Sequence, residues 1–270
     1  MLHVFILAVV QGITEFLPIS SSAHIDITFA LFDAAGWQVP AQTQGERLSM
    51  NVAVHVGTLV AVCVYYWRDL LQMLLGAFKL LTGEVTPGGR LFGYLFVGSL
   101  PLAVIGYFFH DVFERLHTVE VIAWTSIGFG VLLYFFDRIG LTVRRLEHLK
   151  VSDAAIIGLA QVLAFIPGTS RAGITMTAAR FLGFERAEAA HFSLLLSIPG
   201  ILGAGLLEGL DLWQSGNVAV GFDAILGAAI ACVVALLAIA LMMRWLRHAS
   251  FTPFVVYRIL LGFALLYWMA

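Results

Sequence analysis

Six long runs of apolar residues, separated by short polar segments, dominate the chain. They cover about residues 50–67, 91–110, 120–136, 187–209, 220–243 and 252–269. A helix needs about 20 apolar residues, with roughly 17–25 tolerated, to cross the hydrocarbon core of a bilayer. The pattern therefore predicts six transmembrane helices.

Two further apolar segments are interrupted in the middle by proline and hydroxyl residues. Residues 1–36 are broken at PISSSAH (18–24), and residues 153–182 are broken at PGTSRAG (167–173). Proline and clustered hydroxyl residues end helices, and each remaining half is too short to cross the bilayer comfortably. We expect both segments to form re-entrant helix–loop–helix hairpins, which enter the membrane and return on the same side.

The two interrupted segments are also similar to each other. FLPISSSAH (16–24) aligns with FIPGTSRAG (165–173) at an offset of 149, with Phe, Pro, Ser and Ala identical. Each hairpin is followed by three predicted spans. Because three is an odd number, the second copy is inserted in the opposite orientation to the first, as in the inverted repeats of many transporters.

These elements together predict an all-α, polytopic membrane protein. It has six transmembrane helices plus two re-entrant helix–loop–helix hairpins in an inverted-topology repeat, within a single membrane domain, 1–270. The first repeat covers about 1–137 and the second about 153–270. A cytoplasmic loop, 138–152, joins them.

The composition agrees with a lipid environment. Of the 270 residues, 60% are hydrophobic and 12% are charged, and the mean hydropathy is +0.94. A soluble domain carries about 25% charged residues, so this chain has too little polar surface to face water. The formal net charge of −2 provides no basic field that would attract nucleic acid. We therefore expect a membrane protein without a nucleic-acid partner.

Basic residues are distributed unevenly between the predicted loops. If the loop 68–90 is cytoplasmic, most of the 15 lysine and arginine residues lie on the cytoplasmic side: Arg68, Lys79, Arg90, Arg138, Arg144, Arg145, Lys150, Arg180, Arg186, Arg244 and Arg247. Only Arg47 and Arg115 lie outside. Cytoplasmic loops are enriched in Lys and Arg, so both termini and the entrance of the first hairpin are expected outside. The apolar segment 69–82 is expected on the cytoplasmic membrane interface.

Polar side chains gather at the two breaks. They are Gln11, Glu15, Ser20, Ser21, Ser22 and His24 in the first hairpin, and Thr169, Ser170 and Arg171 in the second. Ionisable groups at membrane depth cost roughly 2.5–3.5 kcal/mol each on insertion scales, so they mark functional sites. If the inverted repeats bring the tips together, Arg171 meets Glu15 and His24 in one pocket.

This set of side chains suits a diphosphate. Gln11 and Glu15 are four residues apart on one helix face and can hold Mg²⁺ or Ca²⁺ through oxygen. Arg171 offers a fork for phosphate oxygens, and each tip leads into a helix whose free N–H groups attract anions. Ser21 is a candidate nucleophile, and His24 is a candidate general acid or base. A lipid tail would extend between the spans.

Structural roles compete with these assignments at the tips. Hydroxyl residues after proline are common helix N-caps, which applies to Ser20, Ser22 and Thr169. An ion pair between Glu15 and Arg171 could equally hold the two hairpins together.

Other polar residues have structural interpretations as well. His24 could hydrogen-bond Asp26 or the backbone. His55 and His191 each stand alone in an apolar run, where a core histidine with satisfied hydrogen bonds is the expectation. Arg258 is expected to pair, or to extend toward water, near the cytoplasmic end of the last span.

Two segments, QGITEFLPISSSAH (11–24) and PGTSRAG (167–173), together resemble the motifs of the undecaprenyl pyrophosphate phosphatase family, also called the bacitracin-resistance protein family. Motif order, length and span count match, so the resemblance covers essentially the whole chain. It implies a hydrolase of the bacterial inner membrane that removes the terminal phosphate of undecaprenyl diphosphate. The product is the monophosphate lipid carrier used for peptidoglycan and other envelope polymers.

The resemblance also implies roles for single residues: Glu15 in metal binding or catalysis, Ser21 as nucleophile, His24 as an essential histidine, and Arg171 in phosphate binding with Ser170 beside it. Gln11 occupies a position that is Glu in some members, so a divalent cation is held here by less negative charge. Together with the charge distribution, the resemblance implies a site that faces the periplasm or exterior.

Several alternatives stay open at this point. Attack on the terminal phosphorus by Ser21, by His24 or by an activated water uses the same residues. An inverted repeat with anion-binding tips also suits a carrier that flips a lipid phosphate, although a carrier has no need of a serine–histidine pair. A type-2 phosphatidic acid phosphatase is excluded, because its Lys-x6-Arg-Pro and Arg-x5-His segments are missing. The expected partners are the lipid substrate and membrane lipid, and a homodimer is one oligomeric state that the sequence allows.

Overall fold

The computed structural model describes residues 1–36, 44–140, 143–214 and 222–269, and these residues form α-helices without β-strands. The helices are α1 (Leu2–Thr14), α2 (Ser21–Ala34), α3 (Gln44–Tyr65), α4 (Trp67–Leu81), α5 (Pro87–Glu114), α6 (Val119–Ile139), α7 (Val151–Gln161), α8 (Arg171–Phe181), α9 (Arg186–Gln214), α10 (Phe222–Leu246) and α11 (Thr252–Met269). Single 3₁₀ turns lie at Leu146–His148 and Val162–Phe165. The predicted all-α class is confirmed. Several predicted segments extend beyond the described residues, among them the loop 138–152 at residues 141 and 142, the span 220–243 at its first two residues, and the second repeat at residue 270.

Five helices in the described parts of the chain are long and apolar enough to cross a membrane unaided. They are the spans Pro87–Phe109, Val119–Ile139, Arg186–Leu207, Phe222–Leu246 and Thr252–Met269. The sixth predicted span, within α3, meets the same criterion only together with α4, to which it is joined at a bend of 81°. Phe78 and Leu81 on α4 are exposed, and the interfacial position of 69–82 stays a prediction. The protein is a multi-pass membrane protein.

Both predicted hairpins are broken where proline and hydroxyl residues interrupt them. In the first, α1 is followed by a turn and α2 begins at Ser21, directly after Ser20. In the second, α8 begins at Arg171, directly after Ser170. Ser20 and Ser170 both adopt left-handed backbone conformations, with φ of 74° and 70°, which non-glycine residues rarely occupy. The two tips therefore turn into their second helices in the same way.

The structure corrects the alignment of the two tips by one residue. Ser20 follows Pro18 by two positions, whereas Ser170 follows Pro167 by three. The second loop contains Gly168 as its additional residue, with φ +82°, which is a conformation that favours glycine. Ser170 therefore corresponds in structure to Ser20, and not to Ser21 as the offset of 149 predicts.

Helices from the first half of the chain pack on helices from the second half. The first helix of the first hairpin, α1, packs on α10, whereas the first helix of the second hairpin, α7, packs on α5. Backbones approach closely at small residues: a Cβ at Gly158 in α7 would overlap the backbone of Gly98 in α5. Helices in membranes associate through such small residues. The bounds of the two repeats, 1–137 and 153–270, stay a prediction.

A buried ion cluster ties together the ends of several helices. Asp137, at the end of α6, accepts hydrogen bonds from the Nε atoms of Arg180 (3.1 Å) and Arg186 (2.7 Å). Its second carboxylate oxygen accepts one from the backbone N–H of Phe251. Arg180 is fully buried, although its position after the second hairpin suggested a cytoplasmic end. Paired buried charges of this kind fix the relative positions of α6, α8, α9 and α11.

Candidate active site

Glu15 lies at the centre of a polar cluster formed by both hairpins. It lies directly after the end of α1, and its side chain is 6% exposed. One carboxylate oxygen accepts a hydrogen bond from Arg171 Nη2 at 2.9 Å. The other accepts hydrogen bonds from Ser21 Oγ at 2.7 Å and from Gln11 Nε2 at 3.0 Å. The structure thus brings together a carboxylate, a guanidinium and a hydroxyl from the two tips.

This cluster opens into a cavity of about 210 Å³. The polar part of its wall comes from Glu15, Ser20, Ser21, Ser22, His55, Ser170 and Arg171. The apolar part comes from Leu102, Ala164, Phe165, Gly200, Ile201 and Ala204 on α5, α9 and the second hairpin. A cavity with convergent polar groups at one end and apolar walls elsewhere suits a ligand with a charged head and an apolar tail.

Arg171 is positioned to bind an anion in this cavity. It is the first residue of α8, and helix N-termini carry free N–H groups and partial positive charge. Its Nη2 is occupied by Glu15, whereas its Nη1 is buried and has no hydrogen-bond partner among the described residues. Buried donors are almost always paired in folded proteins. A phosphate oxygen is a chemically suitable partner for this nitrogen.

The remaining hydroxyl residues of the tips have different surroundings. Ser170 Oγ caps α8 by accepting from the N–H of Gly173 at 3.1 Å. Ser20 and Ser22 lie 3.3 Å apart, Oγ to Oγ, in the cavity wall. Thr169 is fully buried and is not part of that wall. The structure therefore does not bring Thr169 into contact with the cavity.

His24 does not lie in the wall of the cavity, although its spacing from Ser21 suggested that it would. Its Nδ1 is 2.6 Å from the carbonyl oxygen of Ser20, and its Nε2 is 2.6 Å from the hydroxyl of Tyr257. Because a carbonyl only accepts, Nδ1 carries the proton and Nε2 accepts from Tyr257. The two rings are also stacked, with centroids 5.5 Å apart. His24 therefore contacts the backbone of the first tip rather than Arg171 or Glu15.

Arg258 is fully buried beneath both tips, so the expectation that it extends toward the end of the last span is wrong. Its guanidinium donates to the carbonyl oxygens of Pro18 (3.3 Å), Thr125 (3.5 Å), Ser126 (3.3 Å), Gly168 (3.0 Å) and Thr169 (2.9 Å). No carboxylate contacts it within the described parts of the chain. The sequence signal was an arginine within an apolar span, where an ionisable group indicates a specific role.

Thr125 of α6 binds a proline carbonyl of one tip, as Arg258 does in the other tip. Its Oγ1 donates to the carbonyl of Pro167 in the second tip at 2.5 Å, whereas Arg258 of α11 donates to Pro18 in the first tip. Helix α6 packs on α11 directly. Each tip is thus held at its proline carbonyl by a helix from the opposite half of the chain.

His55 of α3 lines the cavity, and sequence reasoning missed it. The ring is half-buried, and its Nε2 lies 3.9 Å from a carboxylate oxygen of Glu15. Its apolar neighbours in the sequence favoured a core histidine. The available signal was the cost of an imidazole in the middle of a membrane span, which requires a polar environment.

The predicted cation ligands are chemically suitable but few. Gln11 Oε1 is fully buried and lacks a hydrogen-bond partner in the described structure, while the carboxylate of Glu15 is shared with Arg171. Groups of three or more His, Cys, Asp or Glu side chains that could hold a metal are absent from the described ranges. Mg²⁺ commonly uses one or two protein oxygens and completes its shell with water and substrate phosphates. Of the two predicted ligands, Glu15 lines the cavity, whereas Gln11 is fully buried outside its wall and turns its amide nitrogen toward Glu15.

The comparisons with known proteins all indicate the same family. The family model described as "Bacitracin resistance protein BacA" matches residues 4–264. "Undecaprenyl-diphosphatase 1" of Rhodospirillum rubrum is 45% identical over 270 residues, covering 98% of this chain and 94% of the relative. "Undecaprenyl-diphosphatase" of Teredinibacter turnerae is 46% identical over 265 residues, covering 97% of each chain. The protein of the same name from Jannaschia sp. is 42% identical over 265 residues, covering 97% and 96%.

Proposed function

The chain belongs to the bacitracin resistance protein BacA family, and on that premise we propose that it is an undecaprenyl-diphosphatase. It is a hydrolase that cleaves the phosphoric anhydride of undecaprenyl diphosphate with water, releasing inorganic phosphate and the monophosphate carrier for cell-wall synthesis. The observation that carries the proposal is the joining of Glu15, Ser21 and Arg171 in one cavity with apolar walls. Phosphoryl transfer requires this combination of positioning and charge stabilisation.

Arg171 binds the terminal phosphate. A small shift of the side chain exposes the buried, partnerless Nη1, which donates to a phosphate oxygen while Nη2 stays on Glu15 and fixes the direction of the fork. The N-termini of α2 and α8 add N–H groups at Ser21 and Arg171, which both line the cavity in which negative charge develops as the anhydride breaks. Phosphate binding by Ser20, Ser22 and Ser170 is supported by their places in the cavity wall.

Ser21 is the proposed nucleophile. Its hydroxyl donates to Glu15 at 2.7 Å, so the carboxylate is placed to accept the proton as Oγ attacks the terminal phosphorus. The bond between that phosphorus and the bridging oxygen breaks, and the lipid monophosphate leaves. Water then hydrolyses the phosphoserine and releases inorganic phosphate. If a water molecule attacks directly, the same Glu15 accepts its proton.

For His24, the contacts favour a role in positioning. Its bond to the carbonyl of Ser20 holds the residue that precedes the nucleophile in its left-handed conformation. Tyr257 in turn fixes the ring. Such neighbours orient a reacting group without touching the substrate.

A divalent cation, Mg²⁺ or Ca²⁺, would be held by Glu15 together with phosphate oxygens, and Gln11 Oε1 would join them once its amide rotates away from the hydrogen bond to Glu15. When bound, it supplies further positive charge to the diphosphate. With one carboxylate shared with Arg171, the protein alone offers a weak site, so cation and substrate bind together.

We place the chain in the bacterial inner membrane with the cavity open to the periplasm. The support is the concentration of lysine and arginine in the segments between 68 and 90, 138 and 150, and 244 and 247. Labelling of single cysteines introduced at Ser22 and at Lys150 by a membrane-impermeant thiol reagent tests this orientation. Reaction at Ser22 but not at Lys150 in intact cells is expected. A homodimer stays a prediction that the mass of the purified protein in detergent tests.

The decisive experiment is phosphate release by the purified protein from an isoprenyl diphosphate in detergent, with and without chelator. Release that depends on Ser21, Arg171 and an added divalent cation is expected. A protein that binds the lipid but releases no phosphate is a carrier and not a hydrolase. Release that is unchanged by exhaustive chelation contradicts the cation site at Gln11 and Glu15.

A further inference from the structure

His55 is a polar side chain of the cavity that lies outside both hairpins. It projects from α3 into the wall that also contains Ser21 and Arg171. Its side chain is 29% exposed, and it is one of the residues that line the cavity. An imidazole in the middle of a membrane span needs polar partners, so its surroundings define what it can bind.

The hydrogen bonds of the ring leave one nitrogen for a ligand. Nδ1 is 2.8 Å from the carbonyl oxygen of Asn51, and since a carbonyl only accepts, Nδ1 carries the proton. Nε2 is 3.9 Å from the carboxylate of Glu15, which is beyond hydrogen-bond distance. That carboxylate is already occupied by Ser21 and Arg171. Nε2 therefore has no hydrogen-bond partner among the described residues.

We propose that Nε2 of His55 contacts the terminal phosphate of the bound substrate. The contact is direct where a phosphate oxygen carries a proton, and otherwise passes through a water molecule bound to the phosphate. His55 thereby adds a contact from α3 to those that the two hairpins provide. The inference rests on the proposed hydrolysis of a lipid diphosphate and assigns a further residue to the binding of its head.

His191 provides a matched comparison within the same protein. It lies on α9, where its ring stacks on Tyr66 with centroids 4.5 Å apart and its Nε2 is 3.6 Å from Asp69. It does not belong to the cavity wall. It is therefore a histidine of a predicted span without access to the phosphate.

Two amide variants, which are both polar but differ in length, test whether the side chain at position 55 must extend to the phosphate. In His55→Gln, the amide extends to about the position of Nε2. In His55→Asn, the amide can still bond the Asn51 carbonyl but is too short to reach the phosphate. We expect His55→Asn to raise KM for the isoprenyl diphosphate by roughly 10- to 100-fold, the effect of losing a hydrogen bond to a charged group, with kcat nearly unchanged. His55→Gln should stay within about 3-fold of wild type, because the contact is restored.

The controls are His191→Asn, which should leave KM unchanged, and the thermal midpoint of each variant in detergent. A KM of His55→Asn equal to that of wild type overturns the contact. So does a His55→Gln variant as impaired as His55→Asn, since that result assigns a role to the ring itself. Failure of wild type to release phosphate contradicts the proposed function as a whole, whereas equal KM values in an active protein contradict only the His55 contact.

Discussion

The carboxylate of Glu15 and the guanidinium of Arg171 are 156 residues apart in the chain and 2.9 Å apart in space. Each belongs to a different hairpin, so neither hairpin contains the site alone. The second terminal nitrogen of Arg171 is buried and has no partner in the described structure, so the proposed phosphate contact requires this nitrogen to become accessible from the cavity while Nη2 keeps the ion pair. The ion pair and the binding site are thus one arrangement.

Replacing Arg171 by lysine should abolish most of the activity. A lysine presents its three donors from a single nitrogen and lacks the planar fork with which arginine spans Glu15 and a phosphate. We expect kcat/KM to fall about 100-fold or more, as for the loss of a charge-stabilising donor. Arg138→Lys is the matched control, because Arg138 is exposed and lies over the ring of Tyr134. Similar activity in both variants would show that Arg171 does not bind the phosphate.

Ser21 and Ser22 should differ sharply in their effects. Only Ser21 donates to Glu15, whereas Ser22 contacts Ser20. Ser21→Ala should lower kcat by about 1,000-fold or more, since loss of a nucleophile costs several orders of magnitude. Ser22→Ala should leave kcat nearly unchanged and raise KM by roughly 10- to 100-fold, because it removes one proposed hydrogen bond to a charged phosphate. Substantial activity in Ser21→Ala would identify water as the attacking group.

Variants of His24 distinguish positioning from proton transfer. His24→Asn keeps a donor near the position of Nδ1 for the carbonyl of Ser20, so we expect it to retain clearly more activity than His24→Ala. Tyr257→Phe removes one hydrogen bond and should cost less than about 10-fold. If His24→Asn and His24→Ala are equally inactive, the ring takes part in the chemistry. Rates should be compared at saturating substrate.

Arg258→Met should destabilise the protein and inactivate it. The substitution leaves buried carbonyls of both tips without a donor, which costs about 1–3 kcal/mol for each group. We expect a lower thermal midpoint in detergent, together with loss of phosphate release, because Pro18 and Gly168 lose their donor. Arg138→Met is the surface control. An unchanged midpoint in Arg258→Met means that the tips do not depend on this side chain.

A methyl group at Gly57 should disrupt the packing of α3 on α10. A Cβ there would overlap the backbone of Ala228, whereas a Cβ at Gly93 in α5 meets nothing within 4 Å. Backbone cannot move aside as a flexible side chain can, and overpacking costs about 1–3 kcal/mol. Gly57→Ala should therefore lower the thermal midpoint, and Gly93→Ala should not. Equal midpoints contradict the close approach of α3 and α10.

The features that the sequence could predict are those set by local chemistry. The breaks before Ser21 and Arg171 follow from proline and hydroxyl residues in otherwise apolar segments, and the structure has them there. The position of His55 could not be predicted, because its proximity to Glu15 depends on how α3 packs. The orientation of His24 depends on Tyr257 from the far end of the chain.

The alignment of the two tips is a second feature that sequence comparison did not predict correctly. Sequence identity aligned Ser21 with Ser170, but backbone conformation pairs Ser170 with Ser20. The additional Gly168 in the second loop shifts the register by one residue. A nine-residue similarity could not reveal an insertion within it, because Ser–Ser–Ser in the first tip offers several equivalent matches.

The bond from Arg258 to the carbonyl of Pro18 joins positions separated by 240 residues. During synthesis, the first hairpin emerges at the start and the helix that holds its tip emerges last. The first tip therefore lacks its contact with Arg258 until almost the entire chain has been inserted. We therefore expect a chain that lacks α11 to form the first hairpin without the donor that holds the carbonyl of Pro18.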